Sequence, residues 1–432
     1  GNNLMKSLNI AIIGLGNIGS YLFKYLNENK RKLTEKNNCI PVVKYVSAKN
    51  KKRKRNIKIK KTQWLKNYLD STKKKDVNLI IELIGGAEGP AKKLVFKALQ
   101  NKKHVVTANK ALMAKYGDQL AKIAEKNKVN LEFEASVCGG VPIIRSLKEG
   151  LIANKISKIY GIFNGTSNFI LSSMDKQNKS FNEVLSNAKN LGYAESNPSA
   201  DLNGDDVSAK LKILSSLCFN SFLNNNVYVE GIKYIDKIDI DNANNLGYKI
   251  KLLGYAELIN NKIYQRVHPT LIKKESYVAS IDGVLNAVIV DGIPVGQSTI
   301  QGEGAGPAAT TSALISDISS ISRGNIKFPF SISSKERKKL KFENITERFF
   351  SAYLRFEVID KQGVLSNITN IFSKNKVSIK RLVQDPSKNK KTSSIIIITH
   401  KSKDKYLNKI IREISKKKYI KRKPKLIRID DN

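Results

Sequence analysis

The feature that most constrains this chain lies near its start. Leu8–Ile13 is an apolar run broken only by Asn9. It is followed at once by Gly14-Leu15-Gly16-Asn17-Ile18-Gly19, after which Ile18, Leu22 and Leu26 repeat at helical spacing. A buried strand, G-x-G-x-x-G and a helix in direct succession are far more specific than the glycines alone. Gly14 permits the tight turn, Gly16 lets the backbone approach a pyrophosphate, and Gly19 allows the helix to pack on the strand. The helix N-terminus, with Asn17 and Ile18 in its first turn, faces the anion. These residues predict a nucleotide-binding α/β sheet of Rossmann type, with ligands at the C-terminal ends of its strands.

Further strand ends follow. Asn78–Ile84 runs into Gly85-Gly86, Lys103–Thr107 into Ala108-Asn109-Lys110, and Leu131–Ser136 into Val137-Cys138-Gly139-Gly140-Val141-Pro142. Lys110 therefore falls at the nicotinamide end of the crevice. The second strand, Pro41–Ser47, is where an acid would hold the ribose of NAD. No Asp or Glu occurs from Lys36 to Leu69, and Lys49, Lys51, Lys52, Arg53, Lys54 and Arg55 come instead. Basic residues attract a 2′-phosphate that an acid would repel, so NADP is expected over NAD, with NAD still possible.

Chemistry is densest in Gly192–Lys210, GYAESNPSADLNGDDVSAK, which holds Glu195, Asp201, Asp205, Asp206 and Lys210. Val207, Leu211, Leu214 and Cys218 fall at i, i+4, i+7 and i+11, one buried helical face. Asp206 and Lys210 are four apart and can touch. A lysine beside a carboxylate at the edge of a core is equipped for proton transfer.

Composition excludes several classes. The formal net charge is +40, yet lysine is spread along all 432 residues. There is no aromatic-interleaved basic stripe, so no specific nucleic-acid partner is expected. Cys39, Cys138 and Cys218 are widely spaced, and His104, His268 and His400 are isolated. They predict neither a disulfide framework nor a zinc site. No apolar run approaches spanning length and no secretory signal stands out, so the chain reads as cytoplasmic with no membrane partner. Gly1–Leu4 reads as an addition ahead of Met5.

Taken in order, GLGNIG, ELIGG, VVTANKALMAKYG, FEASVCGGVPII, GIFNGTSNFIL, GYAESNPSADLNGDDVSAKLKIL and GEGAGPAATTSALISDI resemble homoserine dehydrogenase from Gly14 to about Asp317. The resemblance implies interconversion of L-aspartate 4-semialdehyde and L-homoserine with NAD(P)(H), in threonine and methionine biosynthesis. By matched position it makes Lys210 the proton donor to the aldehyde oxygen and Asp206 the carboxylate that orients substrate or Lys210. Glu195 matches the residue that holds the substrate ammonium, and Asp201 is a supporting acid. Lys110 stands near both nicotinamide and substrate, while Thr107, Asn109 and Gly306 line the cofactor. It further implies a monovalent cation such as sodium on the backbone carbonyls of Glu134, Val137, Gly139 and Val141. The chemistry suits these types. A cationic lysine stabilises and protonates a developing alkoxide, and a carboxylate neutralises an ammonium. Two positions depart from the family pattern: Asn197 stands before Pro198 where an acid is usual, and Cys138 sits in the cation turn.

The expected organisation is α/β throughout. A Rossmann-like NAD(P)-binding domain covers 1–141 and is completed by about 300–320, where the helix Ala308–Ile318 returns to it. An α+β domain for substrate binding and dimerisation covers 142–299, with strands Lys158–Phe163 and Val284–Val290 in a mixed sheet. A polar linker covers 321–350, and a separate tail covers 351–432. In the tail, strands Tyr353–Val358, Val377–Val383, Ser393–Thr399 and Lys425–Ile429 alternate with two helices, one ending at Phe372 and one over Lys403–Ile414. This ferredoxin-like βαββαβ order resembles an ACT domain, with Asp360–Leu365 as its opening turn. It implies L-threonine as effector and a homodimer or homotetramer. Two other readings remain open. Another Rossmann dehydrogenase of amino or hydroxy acids is opposed by GIFNGTSN and the Asp206–Lys210 segment. A basic regulatory protein with a vestigial catalytic domain is opposed by the intact Glu195, Asp206, Lys110 and Lys210.

Overall fold

The computed structural model describes residues 4–325, 328–386 and 391–430. Parts of the expected N-terminal addition, linker and tail (1–3, 326–327, 387–390 and 431–432) thus lie outside the described residues.

Residues of the first 132 positions build a six-stranded, wholly parallel sheet. Its spatial order is Gln63–Trp64, Cys39–Ser47, Lys6–Ile13, Leu79–Glu82, His104–Thr107 and Leu131–Glu132. This is the doubly wound order, with its switch point beside Lys6–Ile13. The helix Asn17–Glu28 buries Leu22, Phe23 and Leu26 against Leu8, Ile10 and Ile12. The helix Pro307–Ser322 returns to the same layer through Leu314, Ile318 and Ile321. The strand expected over Leu131–Ser136 stops at Glu132, because Glu134–Ser136 already turns.

The rest of the chain forms one large sheet. Its main path runs Gly296–Glu303, Leu285–Ile293, Lys155–Ile162, Tyr248–Ile259, Lys262–Lys273, Lys425–Asp430, Phe349–Ile359, Thr392–Thr399 and Ile379–Pro386. The last four strands, with helices Val364–Lys374 and Asp404–Ser415, make the βαββαβ tail in the expected order. The helix Asp205–Phe219 is buried on nearly every side, between the helix Lys110–Asn127 and the strands Lys155–Ile162 and Tyr248–Ile259. Val207, Leu211, Leu214 and Cys218 all face core.

Two expectations need correction. The tail is not a separate unit, because Lys425–Asp430 pairs in parallel with Lys262–Lys273, Thr270 opposite Arg428, and makes the two regions one sheet. Nor is the polar stretch a free linker. Phe330 is fully buried against Phe133, with ring centroids 5.3 Å apart. Buried Arg337 donates to Asp118 (2.7 Å), Ser216 (2.7 Å) and the Ser221 carbonyl (3.0 Å). Lys341–Phe342 then pairs with Lys262–Ile263. The segment reads as polar, but Phe330 and Arg337 find buried partners in the two preceding regions.

Buried ions reinforce that union. The Arg355 guanidinium donates to Asp239 at 2.7 Å and Asp236 at 2.9 Å, and Tyr353 donates to Asp239 at 2.8 Å. Arg428 reaches Asp404 at 2.6 Å and Glu230 at 3.1 Å. No helix among the described residues is long and apolar enough to cross a membrane.

Candidate active site

The nucleotide end is built by steric necessity. Gly14 has φ +106°, and a Cβ on it would lie 2.5 Å from the Leu83 carbonyl oxygen. A Cβ on Gly19 would lie 2.0 Å from the Gly14 carbonyl. A Cβ on Gly16 would meet nothing within 4 Å, which leaves its backbone open to a phosphate. Beside it lies a cavity of about 390 Å³ lined by Gly16, Asn17, Arg53, Lys54, Arg55 and Pro307. Arg55 is anchored there, donating to the Leu15 carbonyl at 3.0 Å with its guanidinium 5.5 Å from the Trp64 ring centre. Arg53, Lys54 and Arg55 thus share one cavity with Gly16 and Asn17, and the residues present fit the phosphates of a nicotinamide dinucleotide. Gly306, at φ +102°, immediately precedes Pro307 at that helix start. Ile18 is partly buried against the core rather than in the cavity.

The neighbouring strand ends are tied together by Glu82, which had no assigned role in the sequence reading. This fully buried carboxylate accepts from the Ile84 and Gly85 N–H groups at 2.8 and 3.0 Å. It also accepts from the Thr107 hydroxyl at 2.8 Å and the Asn109 amide at 3.1 Å. Asn109 caps the helix Lys110–Asn127 by accepting from the Leu112 N–H at 3.0 Å. Thr107 and Asn109 are therefore scaffold beneath the crevice, and they place Lys110 in the first turn of its helix.

Lys110 meets Asp206 from across the crevice. Its ammonium lies 2.7 Å from Asp206 Oδ1, while Lys210 lies 2.9 Å from Oδ2. Lys210 also donates to the Phe163 carbonyl at 2.7 Å. Asn164 completes the group. Its amide donates to Asp206 at 2.8 Å and Asp201 at 2.6 Å, and its oxygen caps the following helix by accepting from the Ser167 N–H. Sequence reasoning missed Asn164, although a capping Asn before Gly165-Thr166-Ser167 in the GIFNGTSN segment was its signal.

The electrostatics follow from burial and pairing. Burial raises the Asp206 carboxyl, but the ammoniums of Lys210 and Lys110 outweigh it and hold the group well below the usual carboxylate range. Burial disfavours the Lys210 ammonium, but Asp206 more than compensates and raises it, so Lys210 is charged at neutral pH. Burial pushes Asp201 up, opposed by Asn164. The Lys110 side chain is 41% exposed and the Lys210 side chain 9%, so Lys110 is the ammonium on the open side.

Glu195 is exposed in the loop beyond Gly192 and makes no hydrogen bond or ion pair among the described residues. Its loop is fastened to the capped helix, since Thr166 donates to the Tyr193 carbonyl at 2.5 Å. The Glu134–Val141 turn reverses through positive φ at Cys138 and Gly139. Its Val141 carbonyl accepts one N–H, from Ile143 at 2.7 Å, and keeps a second lone pair for a cation. The Glu134 side chain does not enter that turn, because it accepts from the Ile144 and Arg145 N–H groups at 2.9 Å each.

Comparison with known proteins agrees along the chain. A homoserine dehydrogenase NAD-binding domain model matches residues 14–134, the homoserine dehydrogenase model matches 142–319, and an AHAS small subunit-like ACT domain model matches 354–422. The homoserine dehydrogenase of Neisseria gonorrhoeae is 38% identical over 422 residues, covering 95% of each chain. That of Bacillus subtilis is 34% identical over 434 residues, covering 99% of each. The crystal structure of the Thiobacillus denitrificans homoserine dehydrogenase superposes with a TM-score of 0.90 at 36% identity, covering 99% of each chain.

Proposed function

The chain belongs to the homoserine dehydrogenase family, and on that premise we propose that it interconverts L-aspartate 4-semialdehyde and L-homoserine with NADP(H) as its preferred cofactor. The observation that carries this reading is Asp206 shared between Lys110 and Lys210, where the crevice of the parallel sheet meets the Asp205–Phe219 helix. Gly16, Asn17 and the Pro307 helix start would hold the pyrophosphate, and Arg53 and Lys54 the 2′-phosphate. A bound nicotinamide supplies the hydride transfer itself.

The protein's own part is charge and proton management. Asp206 keeps two ammoniums close together that would otherwise repel. Lys210 holds a proton for the substrate oxygen, passing to its amine form in reduction and regaining a proton from solvent after product leaves, while the Asp206 carboxylate orients it. The ammonium also stabilises negative charge developing on that oxygen, in a site where burial strengthens the interaction. Glu195 pairs the substrate ammonium, and Asp201 holds Asn164, which in turn fixes Asp206. A second reading rests on exposure. Lys110 is the more accessible ammonium, so it meets the substrate oxygen while Lys210 positions Asp206.

The remaining assignments extend this proposal. A monovalent cation sits on the carbonyls of Glu134, Val137, Gly139 and Val141 and stiffens the turn beside the site. The enzyme works in the cytoplasm as a homo-oligomer in threonine and methionine biosynthesis. The tail senses L-threonine at Asp360–Leu365, where Gly363 opens the Val364–Lys374 helix. The test is homoserine oxidation by the full chain with NADP and with NAD at equal salt, with and without threonine. Turnover with a higher kcat/KM for NADP is expected. No homoserine-dependent reduction of either cofactor would overturn the activity, and a clear NAD preference would reduce the Arg53–Arg55 cluster to a solvated loop.

A further inference from the structure

Where the tail joins the catalytic sheet lies a small, partly open cavity of about 60 Å³, lined by Tyr255, Arg266, Arg348, Phe350, Lys401 and Asp430 among others. It is remote in sequence from every residue of the nucleotide and substrate sites. Arg266 is its unusual member. The residue is only 6% exposed, and its guanidinium lies 4.2 Å from the Tyr255 ring centre and 4.9 Å from that of Phe350. Stacked between rings, it can use only its edges for hydrogen bonds.

One edge is taken. Arg266 Nη1 donates to His268 Nε2 at 2.8 Å. His268 is fully buried. Burial, with Arg266 and Arg428 nearby, holds its pKa well below the ordinary value, so its ring is neutral. Its Nδ1 faces the Pro269 carbonyl at 2.9 Å, which leaves Nε2 as the acceptor. The other edge, Nε and Nη2, makes no hydrogen bond among the described residues. Asp430 stands 3.9 Å from Nη2, beyond hydrogen-bond reach, and Nε is buried without a partner. Arg348 adds a second guanidinium, already paired with Glu257 at 2.9 Å, and Lys401 adds an ammonium at the rim. A buried guanidinium edge with one long ion pair and no hydrogen bond is costly. An edge with two parallel N–H groups matches the two oxygens of a carboxylate.

We propose that this seam binds a small organic carboxylate, its two oxygens toward the Nε–Nη2 edge of Arg266 and its body in the cavity on the Lys401 side. The site is distinct from the homoserine site and from the Asp360–Leu365 turn, and it does not depend on the assigned activity. It joins the catalytic sheet to the tail, because Arg266 belongs to Lys262–Lys273 whereas Arg348, Phe350, Lys401 and Asp430 come from the tail and its approach. Two sources share the chemistry. An α-amino acid would place its ammonium toward Asp430, whereas a plain carboxylic acid would not.

Calorimetric titration of the full chain with L-threonine, lactate and sulfate tests this. At least one organic acid should bind, and Arg266→Lys, which keeps the charge but loses the edge, should weaken it about tenfold or more. Lys401→Gln, at an exposed position, should weaken it by a smaller factor and decides the matter if the Arg266 variant does not fold. Lys210→Met should leave this binding unchanged. Asp430→Asn should weaken threonine if the ligand is an amino acid, and strengthen lactate if it is a plain acid. No binding of either acid at ~50 mM overturns the proposal. So does sulfate binding as tightly as both, binding indifferent to both the Arg266 and Lys401 variants, or binding lost in Lys210→Met.

Discussion

Two buried carboxylates of the catalytic region do the same electrostatic work with different results. Asp206 serves Lys110 and Lys210 at 2.7 and 2.9 Å, while Asp239 serves Arg355 and Tyr353 at 2.7 and 2.8 Å. At Asp206 the partners are lysines, and one is 41% exposed toward the crevice. At Asp239 the partner is a forked guanidinium only 4% exposed, with Asp236 and Glu357 around it. A lysine can lose its proton and swing toward a ligand, and a buried arginine can do neither. The first cluster is therefore equipment for chemistry, and the second fastens the tail to the catalytic sheet.

The sharpest way to break this comparison is at Lys210. Lys210→Met should lower kcat by about 10²–10⁴-fold with the fold and cofactor binding intact. A folded variant keeping more than half the wild-type rate would remove Lys210 from the reaction, and a larger loss in Lys110→Met would favour the second reading. At the other cluster, Asp239→Asn leaves the Arg355 guanidinium underpaired, a change that costs about 3–5 kcal/mol for a buried pair. Melting should fall by roughly 3–6 °C, with kcat unaltered at temperatures where the variant is folded. An unchanged melting point would show that the tail is held by its β-ladder alone.

Glu195 presents a third situation, an acid with no partner among the described residues that waits for a cation from outside. Glu195→Gln should raise the KM for homoserine about tenfold, or ~1.4 kcal/mol, and leave kcat within about twofold. Unchanged kcat/KM would refute its role. The smallest effect belongs to a cluster with more acids than cations, where Glu132, Glu134 and Asp317 face Arg145 and Lys148. Burial pushes Glu134 from the ordinary 4.5 up to about 7, against the N–H groups of Arg145 and Ile144. Between those values the folded chain keeps a proton that the unfolded chain has lost, so stability declines as pH rises through the window. In thermal melts across it the wild type should lose stability relative to Glu134→Gln as pH rises. Parallel curves would show that Glu134 is ionised throughout.

What could be read from the residues was what is local. The strand, glycine turn and helix over Leu8–Leu26 are contiguous, and Asp206 and Lys210 are one helical turn apart. The βαββαβ tail announced itself by alternation and turn chemistry, each element within about ten residues. The partnership of Lys110 with Asp206 was not anticipated, because nothing in either neighbourhood points across the crevice. Glu82 and Asn164 escaped a role for the same reason: each joins segments distant in sequence, and a single Glu or Asn carries no periodicity. The pairing of Lys425–Asp430 with Lys262–Lys273 was invisible, since a parallel ladder needs no turn between its strands and leaves no mark in either one.

That ladder also has a consequence in time. Thr270 is made roughly 160 residues before the Arg428 it pairs with, a long-range closure of the kind that slows folding. At about 5–20 residues per second a ribosome needs roughly 8–30 s to cover the interval. Throughout it Glu230 awaits Arg428, Asp239 waits about half as long for Arg355, and one edge of the catalytic sheet stays open to other chains. A message cut short after Lys341 would accordingly yield aggregates that call on chaperones, rather than an enzyme merely released from control.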